Sequence, residues 1–178
     1  MLDLETMGKN SNSAIVSIGA VEFDIKTGKT GREFYSRVDL QSCLDIGLKV
    51  NASTIYWWLQ QNDAARLELT KPARKLRDVL IDLTIWFGEN KHDFYLWGNG
   101  ARFDIGIIED AYVVCGFNTP WNFRNEKDLR TITGFSPEIK NRIQTENTGV
   151  EHNPIDDCKT QIKYLYEINK RIKFIDND

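Results

Sequence analysis

The 178-residue chain has 23 basic and 26 acidic residues, a net charge of −3, and 41% hydrophobic and 11% aromatic content. That is the makeup of a water-soluble globular protein, and one domain over residues 1–178 with a single substantial core is expected. The acidic balance excludes a general basic coat for nucleic acid, so any such contact should be local and assisted by cations.

The first stretch, Met1-Leu2-Asp3-Leu4-Glu5-Thr6-Met7-Gly8, reads as a strand that ends in a turn. Ala14 to Asp24 is rich in Ile, Val and Phe and reads as a second strand. After a turn at Lys26 to Lys29, Arg32 to Val38 returns as a third. Three sequential antiparallel strands are the simplest arrangement. Asp39 to Ala52 reads as irregular, and Ser53 is expected to cap a short helix to Gln61, with Asn62-Asp63 starting the next segment. Pro72 suits the first turn of a longer helix to Phe87, whose Leu76, Val79, Leu80, Leu83 and Phe87 share one face. Phe94 to Trp97 reads as a short buried strand, Gly98-Asn99-Gly100 as a turn, and Asp104 to Val114 as a helix. Trp121 to Gly134 carries no clear pattern. Glu138 to Gln144 reads as a helix, Thr145 to Asn153 as a loop, and Pro154 to Lys170 as the last helix, followed by a fraying end from Phe174. Strands first, then helices alternating with strand, give an α/β protein: a mixed central sheet with helices packed on it.

Cys43, Cys115 and Cys158 lie far apart and are odd in number, which argues against a disulfide framework or a zinc site. A reducing cytoplasm is the expected setting. No secretory leader pattern opens the chain, and the longest apolar stretch, Val79 to Phe87, is far too short to span a membrane. A strand with two carboxylates starting at Met1 leads us to expect a few residues upstream.

In a strand, Asp3 and Glu5 share one face while Leu2 and Leu4 share the other. Two rises put the carboxylate bases about 6–7 Å apart, wide enough to flank metal ions some 3.5–4 Å apart. Asp104 opens a helix after a Gly-rich turn, where a carboxylate also serves as an ordinary cap. Asn153 can cap the last helix with Pro154 at its first position, leaving His152 on the loop just ahead. On that helix Ile155, Cys158, Ile162, Leu165 and Ile168 mark the apolar arc; Asp157 borders it beside Tyr164, and Asp156 faces solvent. Taken singly, each acid has a bland explanation. Their joint order has none.

That order, Asp-x-Glu, then Phe-Asp at a helix start, then His with Asp five residues on, resembles the DEDDh (DnaQ-like) 3′–5′ exonucleases of ribonuclease H-like fold, over nearly the whole chain. Asp3-Leu4-Glu5-Thr6-Met7-Gly8, Ile15 to Ala20, Thr54 to Trp58 and Asp128 to Thr131 look more narrowly like phage exodeoxyribonucleases and exodeoxyribonuclease VIII-like proteins. The resemblance implies Asp3, Glu5, Asp104 and Asp157 as metal ligands and His152 as general base. It also implies substrate contacts from Thr6, Met7, Gly8, Trp57, Asn99 and Phe103, with Met7 packing on a base. Two departures are Pro154, where the family has a small residue, and Asn99-Gly100-Ala101-Arg102 ahead of Phe-Asp. Oxygen ligands favour two Mg²⁺ or Mn²⁺ ions. Asp3, Glu5 and Asp157 are assigned to the ion that carries the attacking water, Asp3 bridges to the second, and Asp104 assists there. The expected activity is 3′–5′ hydrolysis of DNA, single strands foremost. An exoribonuclease and a non-catalytic nucleic-acid-binding module of the same fold are the alternatives. The expected partner is a nucleic-acid 3′ end, with no membrane, and a homodimer is allowed. Trp57-Trp58 is the aromatic pair suited to stack a base, while Lys71, Arg74, Lys75 and Arg77 read as a phosphate track or a solvated face.

Overall fold

Hydrophobic alternation and β-branched runs at the N-terminus build the centre of the molecule. In the computed structural model, which describes residues 1–89, 94–146 and 153–173, β1 (Leu2–Thr6) lies between β2 (Ile15–Phe23) and β4 (Leu96–Gly98). β3 (Thr30–Arg37) pairs antiparallel with β2, and β5 (Glu126–Asp128) pairs parallel with β4, giving the order β3-β2-β1-β4-β5. The first three strands are antiparallel and the others parallel, the mixed sheet expected. Leu2, Leu4, Ile15, Ile18 and Ala20 carry the sheet's share of the main core, beneath α4 (Leu76–Phe87) and α5 (Asp104–Val114). On the other side α8 (Pro154–Ile172) covers β1 and β2 with Cys158, Ile162, Leu165 and Ile168.

Several boundaries differ from expectation, each for a local reason. Asp39 to Ala52 is not wholly irregular: Asp39 accepts from the amide of Gln41 and starts α1 (Leu40–Asp45). The following helix, α2 (Ala52–Leu59), has Asn51 rather than Ser53 at its cap position. Asn62 caps α3 (Asp63–Glu68) through Ala65, where a new segment was anticipated. Pro72 lies outside α4, which starts at Leu76. The reason is Arg74, whose amide donates to Arg37 and whose carbonyl accepts from Asp39, tying this segment to β3 as extended chain. The stretch without a pattern resolves into a 3-10 turn (Phe123–Asn125), β5 and α6 (Leu129–Gly134), the last capped by Asp128. Strands of three residues are too short to show alternation, which is why this one could not be read. α7 (Pro137–Glu146) runs two residues beyond Gln144, and α8 ends at Ile172, two past Lys170. All three cysteines are free and buried. No described helix is long and apolar enough to cross a membrane.

Candidate metal centre

The burial of β1 alternates as its sequence dictates: Leu2, Leu4 and Thr6 are buried, Asp3 and Glu5 half-buried on the opposite face. Neighbouring glycines let two helices come close to those carboxylates. Asp3 pairs in register with Gly19 of β2, and a methyl group added at Gly19 would lie 2.5 Å from Pro154 Cβ. Only a bare backbone admits the start of α8 here. Asn153 accepts from the amides of Ile155 and Asp156, Pro154 takes the first helical turn, and the Asp157 amide donates to the Asn153 carbonyl. The result is a group of three carboxylates, Asp3, Glu5 and Asp157, with one oxygen from each lying within 4.8 Å of the others. Asp156 is not among them, as the helix geometry anticipates.

Gly98 does the same on the other flank. Its backbone passes so close to Asp104 that an added methyl would lie 3.2 Å from that residue's Cβ. β1 meets β4 at a single register pair, Leu2 with Gly98, so the next outward amide on β1, that of Leu4, has no strand to bond. Asp104 Oδ1 accepts it at 3.2 Å. A buried amide requires a partner, and here the partner is a carboxylate. Asp104 is therefore no ordinary helix cap; it is 2% exposed and tied to the central strand.

Crowded acids in a partly buried site resist ionisation. Burial, then repulsion from Asp104, Asp157 and Glu5, raises Asp3 well above the usual carboxylate range, while a hydrogen bond from Gln161 Nε2 at 2.7 Å pulls the other way. Burial, with repulsion from Asp157 and Asp104, raises Glu5 to about 8. Burial raises Asp104 to about 7, against the amides of Leu4 and Asn99 and the Arg130 guanidinium. A cluster of carboxylates in which several are held above their normal titration range is relieved by hard cations, so the residues fit divalent metal.

The turn after β1 is well braced. Thr6 Oγ1 donates to the Gly8 carbonyl at 2.6 Å, the Trp58 indole donates to the Thr6 carbonyl at 3.0 Å, and the Asn51 amide donates to Met7 at 2.7 Å. A methyl at Gly8 would lie 2.5 Å from Ser13 Oγ. Met7 does not stand ready to pack on a base: it is 8% exposed within the core, and its amide donates to Ala14. The two tryptophans divide as adjacent helical positions must. Trp58 is buried, whereas Trp57 is 41% exposed with its ring 5.0 Å from that of Trp58. Phe103 packs against the core, and the Asn99 carbonyl accepts from Arg130 Nη2 at 2.9 Å over the left-handed Gly100. His152 lies outside the described residues. Three of the four residues of the basic run have partners within the protein: Lys71 pairs with Glu68, Arg74 with Asp82, and Arg77 donates to the Cys115 carbonyl. Asp128 and Arg130 do not pair by side chains; Asp128 Oδ1 takes the amides of Ala101 and Arg130, and the guanidinium turns to Asn99.

Gln161 was not anticipated. The signal was available, since it stands four residues after Asp157 and so one turn along the same helix face.

No curated protein matches the chain. Residues 1–169 match the family described as the 3′–5′ exoribonuclease Rv2179c-like domain, nearly the whole length that carries the acids and the last helix. The chain belongs to this family, and through it to the 3′–5′ exonucleases of the DEDDh, ribonuclease H-like superfamily.

Proposed function

We propose that the chain shortens RNA from the 3′ end by metal-dependent phosphodiester hydrolysis. The observation that carries the reading is the meeting of Asp3, Glu5 and Asp157 within 4.8 Å, with Asp104 anchored to the same strand. The sequence likeness to phage exodeoxyribonucleases favours DNA and the family description favours RNA. The family match spans residues 1–169, whereas the phage likeness rests on short segments, so RNA is taken first.

Asp3, Glu5 and Asp157 would hold the ions, with Asp104 assisting at the second. Bound divalent cations supply charge neutralisation at the phosphoryl oxygens, a nucleophile at neutral pH and support for the leaving oxygen. The acids orient that chemistry at the end of β1, beside the rigid Thr6-Met7-Gly8 turn, where the backbone would meet a terminal nucleotide. His152 would take the proton from the attacking water, the general-base role an imidazole can fill at neutral pH. The exposed face of Trp57 stacks a base, and Asn99 and Phe103 border the terminal sugar. His152→Ala should retain metal and substrate binding and lose roughly 10²–10⁴-fold in turnover.

The test uses end-labelled single- and double-stranded RNA and DNA of one sequence, with Mg²⁺, Mn²⁺ or chelator. Stepwise shortening of RNA that needs metal and stops at a blocked 3′ end is the expected result. Faster loss of DNA would transfer the activity to DNA. Intact substrates under every condition would remove the nuclease reading and leave a binding module.

A further inference from the structure

We infer that Gln161 is a positioning residue for the metal centre: its amide holds Asp3 in the orientation in which that carboxylate would serve as a ligand beside Glu5 and Asp157. The inference rests on the metal-binding reading above. Gln161 Nε2 donates to Asp3 Oδ1 at 2.7 Å, from a side chain 5% exposed on the inner face of α8. Its other end, Oε1, is buried and has no hydrogen-bond partner among the described residues. An orphaned buried acceptor destabilises a fold, and an aliphatic side chain would fill the same space without that cost. Packing alone therefore does not account for an amide at this position.

The geometry does. Asp3 sits mid-strand with carboxylates of Glu5 and Asp157 close by, and repulsion from them and from Asp104 would swing it away from the group. A neutral donor is the one kind of hydrogen-bonding partner that steadies such a carboxylate without consuming its charge. A lysine or arginine in its place would neutralise the ligand and compete with the cation. The amide also couples two elements, because α8 then carries one ligand directly, Asp157, and steadies another, Asp3, from one turn further along. Partners that orient a metal ligand commonly govern affinity by 10–100-fold when removed.

The experiment compares the intact protein with Gln161→Met, which keeps the volume and removes the amide, and Gln161→Asn, which keeps the amide and withdraws its reach. Mn²⁺ affinity is read by electron paramagnetic resonance titration, metal-free melting by circular dichroism, and turnover with Mg²⁺ against Mn²⁺. Gln161→Met should melt at least as high as the parent, and both variants, once folded, should bind Mn²⁺ about 10–100-fold more weakly. Turnover with Mg²⁺ should fall further than with Mn²⁺, because Mg²⁺ demands near-ideal octahedral ligands. A merely structural glutamine would leave affinity and the metal ratio unmoved; either variant folded with parental Mn²⁺ affinity overturns the proposal. Should neither variant fold, the parent decides it: the Gln161 side-chain amide resonances must shift on Mg²⁺ titration in step with saturation, and unmoved resonances overturn it. Parent protein that binds Mn²⁺ but digests no nucleic acid defeats the nuclease reading and leaves this inference standing. Parent protein that binds no Mn²⁺ defeats both.

Discussion

The acids carried by β1 and the acid carried by α5 are all raised by burial but differ in what surrounds them. Burial raises Asp104 to about 7, and the Leu4 amide, the Asn99 amide and the Arg130 guanidinium offset only part of that. Asp3 is met by burial and three other carboxylates, with Gln161 as its stabilising hydrogen bond. Glu5 is likewise raised by burial, Asp157 and Asp104. The difference teaches where a cation is required. Protein groups offset part of the burial cost on Asp104 and tie it to β1. Asp3, Glu5 and Asp157 bring one oxygen each within 4.8 Å of the others, and on the proposed reading a cation would sit among them.

The largest effect should come from treating the two kinds of acid alike. Asp3→Ala should abolish Mn²⁺ binding and turnover, whereas Asp104→Asn should keep measurable Mn²⁺ binding while losing most activity. Calorimetric titration checks this, and equal loss of metal in both variants would erase the distinction drawn here. Next in size is Gly19→Ala. Its methyl would meet Pro154 at 2.5 Å, pushing the start of α8 and with it Asp157 away from β1. Overpacking of that kind costs about 1–3 kcal/mol, and Mn²⁺ affinity should fall with it. A variant with parental melting and parental metal affinity would show that α8 can yield without moving its ligand.

The smallest effect is on stability against pH in metal-free protein. The folded protein holds Glu5 at about 8 against 4.5, and Asp104 at about 7 against 3.8. Across roughly pH 5 to 8 it therefore binds more protons than the unfolded chain, so stability falls as pH rises and levels off above the folded values. The Met1 amine, lowered by burial from 8.0 to about 6, opposes this above pH 6, one group against three carboxyls. Melting should accordingly be lower at pH 8 than at pH 5 without metal. Saturating Mn²⁺ should reverse the order, because it displaces those protons. Metal-free protein that melts higher at pH 8 would mean the carboxylates are not crowded as described.

Much of this site was legible before any coordinates, and for a physical reason. Strand alternation decides that Asp3 and Glu5 share a face, and Asn153-Pro154 announces a helix start that orients Asp157. Both are consequences of local backbone geometry, so local sequence carries them. The start of α4 and the existence of β5 were not legible, because hydrogen bonds from Arg74 to β3 and pairing with β4 decide them across long sequence separations. The inward turn of Met7 likewise depends on what packs around it.

The sequence by itself determined the elements that carry the acids, the face each carboxylate of β1 occupies and the wider exonuclease superfamily. The tertiary structure alone decided how closely those elements approach. Gly19 reads as an ordinary strand residue and Gly98 as part of a turn until the helices they admit are in place. Spacing puts Gln161 on the helix face of Asp157, but only packing brings it to Asp3, 158 residues away along the chain. Proximity of that kind is a property of packing, and no local pattern of residues encodes it.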